Sequence, residues 1–136
     1  MGRALQTNGS LLKLNLRLNR LGEKGGCYVF EGLKSNGALK QLNISGNGLA
    51  DDSGQGEAVR VLAAMFRVNS TLDSMDITSN SLGSEAGVVL RDALEENMSL
   101  TSLDIRVNKV APEVARYQFL VLLMCCYCAA SELRMC

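Results

Sequence analysis

The feature that most constrains this chain is a motif that returns in register. Residues 11–21, LLKLNLRLNRL, carry apolar side chains at their first, fourth, sixth and last positions and an asparagine, Asn19, at the ninth. The same pattern returns at 39–49 with Asn47, at 72–82 with Asn80 and at 100–110 with Asn108. Starting positions 11, 39, 72 and 100 are separated by 28, 33 and 28 residues. Self-similarity at such a period marks a stack of structural units, none of which can bury its apolar face alone. A second element travels with the first: an apolar residue, an asparagine and a leucine spaced three apart, as in Leu5/Asn8/Leu11, Leu33/Asn36/Leu39, Phe66/Asn69/Leu72 and Leu94/Asn97/Leu100.

Each position has a mechanical reading. Period-two alternation turns Leu14 and Leu16 and their equivalents inward, and Asn15 and Arg17 outward, as a strand requires. Between the strands, Val59, Leu62, Ala63 and Phe66 share one helical face, and Val88, Leu90, Ala93 and Leu94 are expected to share another. Gly22, Gly25, Gly26, Gly83 and Gly87 suit tight entry to the helices. Asn19, Asn47, Asn80 and Asn108 are expected to turn inward as a structural ladder, hydrogen-bonding loop backbone of neighbouring coils. Without such partners each buried backbone group would cost about 1–3 kcal/mol. The unit is strand, turn, helix, turn. The fold class is therefore α/β, a leucine-rich repeat solenoid of the ribonuclease-inhibitor type, with a parallel sheet on the concave face and helices on the convex face.

The organisation reads as leucine-rich repeats over 1–110, about four coils with the first incomplete, followed by a capping helix and an apolar, cysteine-rich tail over 111–136. Met1 to Asn8 resembles the last turns of a helix whose strand is missing, so the chain is expected to be the C-terminal piece of a longer repeat protein, or a shortened form of one. The longer step after Asn47 marks a polar insertion, ADDSGQG at 50–56, expected to bulge as a solvated loop. The apolar run at 119–130 falls short of the roughly 20 residues that span a bilayer. Its alternatives are a cap on the open core, an anchor, or a segment foreign to the repeats.

Composition excludes several functions. Acids and bases balance at 14 each, so nothing favours a nucleic acid or a membrane surface as partner. Histidine is absent, which removes the usual general base and commonest metal ligand. No phosphate-binding glycine loop and no acid–base or nucleophilic pairing occurs, so no catalytic residue and no cofactor is expected. Five cysteines without framework spacing suit a reducing compartment. Cys27 is expected to pack as a small hydrophobe. Cys125-x-x-Cys128 is half a zinc motif, and a thiol cluster is its simpler reading. The Asn-x-Ser/Thr triplets at Asn8, Asn69 and Asn97 recur at one repeat position, and that at Asn43 lies in a strand, so they read as repeat chemistry rather than glycan acceptors.

The outward strand positions form columns across the sheet: Lys13, Gln41, Ser74, Ser102; then Asn15, Asn43, Asp76, Asp104; then Arg17, Ser45, Thr78, Arg106. This mixed polar surface suits a protein partner of complementary charge. The candidate contacts are Lys13, Asn15, Arg17, Asn43, Asp76, Asp104 and Arg106.

Particular strings add a resemblance. ALQTN at 4–8, LNLRLN at 14–19 with EKGG at 23–26, and LDIRVNKVAPE at 103–113 resemble the final repeats of the family of dynein regulatory complex subunit 5, also called t-complex-associated testis-expressed protein 1. The resemblance covers roughly residues 3–118 and includes the exit from the last repeat. It implies a non-catalytic subunit of the nexin–dynein regulatory complex of motile cilia and flagella. Its partners would be other subunits of that complex and axonemal proteins, in the cytoskeleton of the axoneme within the cytoplasm. The loop after Asn47 and the tail from Phe119 depart from the family's pattern. The alternatives are a repeat segment of a nucleotide-binding immune receptor or a small-GTPase activator; the latter's acidic tail is not found here.

Overall fold

A computed structural model describes residues 1–51, 54 and 56–111. Among them, strands β1 (Lys13–Asn15), β2 (Gln41–Asn43), β3 (Ser74–Asp76) and β4 (Ser102–Asp104) alternate with helices α1 (Gly2–Thr7), α2 (Gly22–Lys34), α3 (Glu57–Val68) and α4 (Ser84–Glu95). The strands pair in parallel in the order β1-β2-β3-β4. Register follows the repeat: Leu14 faces Leu42, Leu42 faces Met75 and Met75 faces Leu103. Neighbouring strands lie about 4.8 Å apart, whereas packed helices need about 8–10 Å. Coils joined at both layers therefore curve, with the sheet on the inside.

The helices form where apolar residues recur every three or four positions. On α3, Ala58, Val59, Leu62, Ala63 and Phe66 are buried while Arg60 and Arg67 face out. On α4 the buried face is Ala86, Gly87, Leu90, Ala93 and Leu94. Val88 is exposed, contrary to the expectation that it shares this face. At about 100° per residue it stands 200° from Leu90, on the far side of the helix. Glu23, Glu57 and Glu85 occupy first turns, and Lys34 and Arg67 last turns, matching the helix dipole.

One continuous core runs between the layers, with Phe30, Leu33, Ile44, Leu62, Met65, Phe66 and Ile77 almost fully enclosed. Leu16 is buried, whereas Leu14 is half-buried and Leu12 and Leu18 are exposed. The edge position of β1 is not by itself the cause, since Leu103 on the opposite edge strand, β4, is buried.

The turn leaving each strand holds left-handed residues on one or both sides of its asparagine. Leu18 and Arg20, Gly46 and Gly48, Ser79 and Ser81, and Val107 have φ between 52° and 64°. Only the second coil fills both positions with glycine. Among the glycines read as helix-entry devices, Gly22 has a positive φ, of 61°, while Gly83 is extended and Gly25, Gly26 and Gly87 lie inside helices. Gly26 instead lies at a close packing contact: a Cβ there would stand 2.7 Å from Leu49 Cδ2 and 3.3 Å from Ala58 Cβ, so the Leu49 side chain would have to shift.

The insertion does not simply bulge into solvent. Gly54 is buried and its carbonyl accepts a hydrogen bond from Gly83 N–H at 2.6 Å. Its own N–H donates to the Asp51 carbonyl at 2.9 Å. The extra length thus laps onto the following coil at the start of α4, where an exposed backbone donor needs a partner. The expected capping helix and cysteine-rich tail, with Cys125 and Cys128, lie outside the described residues except at Ala111.

Candidate functional site

The exposed sheet face is held in place by asparagines at both ends of the strands. At the exit, the Asn80 side-chain oxygen accepts from Asn47 N–H at 2.9 Å, and its amide donates to the carbonyls of Ile44 and Ile77 at 3.1 and 3.0 Å. Asn47 does the same one coil earlier, donating to Leu16 and Ile44 carbonyls and accepting from Asn19 and Leu21 N–H. Asn108 continues the series with Asn80 N–H, Leu82 N–H and the Ile77 carbonyl. Asn47 and Asn80 are buried. Asn19 departs from expectation. It is exposed, and its amide donates to the Arg17 carbonyl of its own turn. A ladder side chain reaches back to the preceding coil, and β1 is the first strand of the sheet.

A second ladder, built on the asparagine of the recurring apolar–Asn–Leu triplet, ties the entry side. Asn36, Asn69 and Asn97 donate to the carbonyls of Leu5, Leu33 and Phe66 at 2.6–2.7 Å. Their oxygens accept from the N–H groups of Leu39, Leu72 and Leu100 at 2.7–2.8 Å. Thr71 and Ser99 hydroxyls add bonds to the Asn36 and Asn69 carbonyls. At Asn69 and Asn97 the Asn-x-Ser/Thr spacing is therefore coil-to-coil chemistry, as expected, with the amide nitrogen a glycan would need already donating inside the stack. Asn8 differs: it is exposed, and its side-chain oxygen accepts from Ser10 and Leu11 N–H of its own turn.

Between the ladders stand the predicted contact residues. The structure brings them onto one face: Lys13 pairs with Gln41 and Gln41 with Ser74, while Asn15, Asn43, Asp76 and Asp104 stand in one row. That row also has a local task. Each member accepts from the backbone N–H two residues on: Asn15 from Arg17, Asn43 from Ser45, Asp76 from Thr78 and Asp104 from Arg106, all at 3.0–3.1 Å. The side chain thus pins the bend that ends its strand. Asn43 further donates to Asp76 Oδ2 at 2.9 Å and accepts from the Ser45 hydroxyl at 2.8 Å.

The two arginines expected to frame the face are not equivalent. Arg106 grips Asp104 through Nε and Nη2, the shortest contact being 2.6 Å. Arg17 and Lys13 are exposed and form no ion pair among the described residues. The face thus has an open cationic side at the first coil and an internally neutralised pair at the last.

Cys27 lies on α2, half-buried against the core as expected. Burial, followed by the charges of Glu23 and Glu57, pushes its thiol above the usual cysteine range. Among the described residues no helix is long and apolar enough to cross a membrane, and no group of three metal-ligating side chains comes together.

Comparison with known proteins agrees with the coil architecture. A family model described as Leucine Rich repeat matches residues 38–56. No curated protein matches the chain in sequence. Among solved structures, one titled "Leiomodin-1 Actin-Binding Site 2 (ABS2)" is similar with a TM-score of 0.67 and 20% identity, covering 79% of this chain. The alignment spans 59% of that structure's own length. Repeating coils, a parallel sheet in register, the repeat match and the structural likeness identify the fold of this chain as a leucine-rich repeat solenoid.

Proposed function

We propose that this chain is a non-catalytic protein-binding scaffold that recognises its partner on the concave sheet. The observation that carries this reading is the row of outward strand residues. Their backbones are locked by two asparagine ladders, so Lys13, Gln41, Arg17 and Asp76 stand on a rigid platform. A preorganised polar face loses little freedom on binding, which favours affinity and selects partners by charge.

The finer assignment is to the nexin–dynein regulatory complex of the axoneme, in the role of dynein regulatory complex subunit 5. It is supported by the strings at 4–8, 14–19, 23–26 and 103–113 that resemble that family's final repeats. In this role the chain holds neighbouring subunits and contributes to control of ciliary and flagellar beating without chemistry of its own. Its location is then the axoneme. A tagged form expressed in a ciliated cell tests this: axonemal localisation and co-purification with complex subunits are expected, and a diffuse signal without those subunits contradicts it. Reversing Arg17 and Arg106 to Glu should weaken co-purification while the circular dichroism stays unchanged.

The likeness to a structure titled as an actin-binding site motivates a second assay. Co-sedimentation with filamentous actin distinguishes actin as the partner from axonemal subunits.

A further inference from the structure

Asx residues at the end of each strand accept one backbone hydrogen bond, and asparagine does this at Asn15 and Asn43 as well as aspartate does at Asp76 and Asp104. The fold therefore needs the side-chain oxygen at this position and not a negative charge. At Asp104 the charge is taken up by Arg106. At Asp76 it is not: Oδ1 accepts from Thr78 N–H and Oδ2 from the neutral amide of Asn43, and no cation pairs with it among the described residues. Asp76 is half-buried in the middle of the sheet. Two strands away, on the same face, Lys13 and Arg17 are exposed and equally without an ion-pair partner among the described residues.

We propose that Asp76 and the Lys13–Arg17 pair form a two-pole charge clamp for an α-helical segment of a protein partner, lying across the strands with an acidic and a basic side chain about two turns apart. This deepens the concave-face reading and rests on it. Two strand spacings give about 10 Å between the poles, and seven residues of helix rise by about 10 Å. An acid on the partner helix meets Lys13 and Arg17 while a base seven positions along meets Asp76. Between the poles the face falls to Asn43 and the buried Ser45, so the partner's side chains can approach the sheet. A helix fits better than an extended segment for a backbone reason. The sheet's own N–H and C=O groups are consumed between coils, as in Leu16 N–H to Asn43 C=O at 2.7 Å and Ile44 N–H to Asp76 C=O at 2.9 Å. An extended chain laid across this face would find no backbone partners, whereas a helix satisfies its own.

The test is a selection on the full chain from a displayed library of helical peptides with one randomised face. Selected peptides should carry an acid and a base about six to eight residues apart. Asp76→Asn, which keeps the bond to Thr78 N–H but gives up the one from Asn43, and Arg17→Gln should each weaken their binding by about tenfold or more and reduce its salt dependence. The urea midpoint of Asp76→Asn should match that of Asn43→Ala, which loses the same bond but keeps the charge and should keep binding. Gln41→Trp, a steric block at the centre of the face, should abolish binding. If the block abolishes binding and both charge variants leave it intact, the clamp is wrong and the concave face survives. If none of the three has an effect, the concave reading fails as well. A selection that returns no binder, or binders that tolerate a proline at their centre, overturns the helical clamp.

Discussion

The backbone N–H of Asn47 donates to the side-chain oxygen of Asn80 at 2.9 Å, across a sequence distance of 33 residues. Neither group could find that partner within its own coil, so the bond exists only because the coils are stacked. The relationship makes each turn's conformation depend on the next coil and turns a row of short repeats into one cooperative unit.

Removing Asn80 should therefore be severe. Its side chain is fully enclosed and makes bonds to Asn47, Ile44 and Ile77. Asn80→Ala strands several backbone groups without water, and a loss of about 3 kcal/mol or more is expected. Asn19→Ala, at the exposed equivalent position, should change stability by no more than about 0.5 kcal/mol. Urea melts of the two variants side by side provide the comparison.

A pair of glycines separates backbone strain from packing. Gly48 has a φ of 64° with open space around the site of a Cβ, and Gly37 has the same open space without a positive φ. Gly48→Ala is expected to destabilise the chain by about 1 kcal/mol, whereas Gly37→Ala should be neutral or slightly stabilising. Equal losses in denaturant melts would contradict a conformational cause.

The contact between α1 and α2 relies on close backbone approach. A Cβ at Gly32 would come within 2.4 Å of the Gly2 carbonyl oxygen. Gly32→Ala should push α1 away and expose Leu5, which is buried against the core. Hydrogen exchange of the Leu5 amide, bonded to the Met1 carbonyl in the native chain, should accelerate while α3 stays protected.

Cys27 supplies a pH-dependent prediction. Burial and the nearby Glu23 and Glu57 raise its thiol pKa, so the folded state favours the protonated form. The contribution to stability is complete below the unfolded thiol's pKa and is lost as pH rises through the raised one. At about pH 8, alkylation of Cys27 should be slower in the folded chain than in urea. Peptide-resolved mass spectrometry follows that residue alone, and Glu57→Gln should speed the folded reaction.

Strands, register and the exit-side ladder were readable because they depend on local alternation and on a period that repeats four times. Asn19 shows where such reading stops: its residue type matches Asn47, but its bonding depends on which neighbour stands beside its strand. Val88 failed for a different reason, since it sits beside three core residues in sequence but half a turn away in space. The Arg106–Asp104 pair also escaped prediction. Residues two apart share a face, yet whether they grip each other or a partner is a matter of side-chain rotamer. The Gly54–Gly83 bond joins an irregular loop to the next coil, and no periodicity encodes it.

The central claim is that the concave sheet binds the partner, and site-specific photo-crosslinking tests it most directly. A photoreactive residue placed at Gln41 on the sheet is compared with one at Arg60 on the outer helix face, both exposed. In extracts of ciliated cells, crosslinks from Gln41 to identified regulatory-complex subunits, with none from Arg60, are the predicted result. Crosslinks to those subunits from Arg60 with a silent Gln41 would contradict the account.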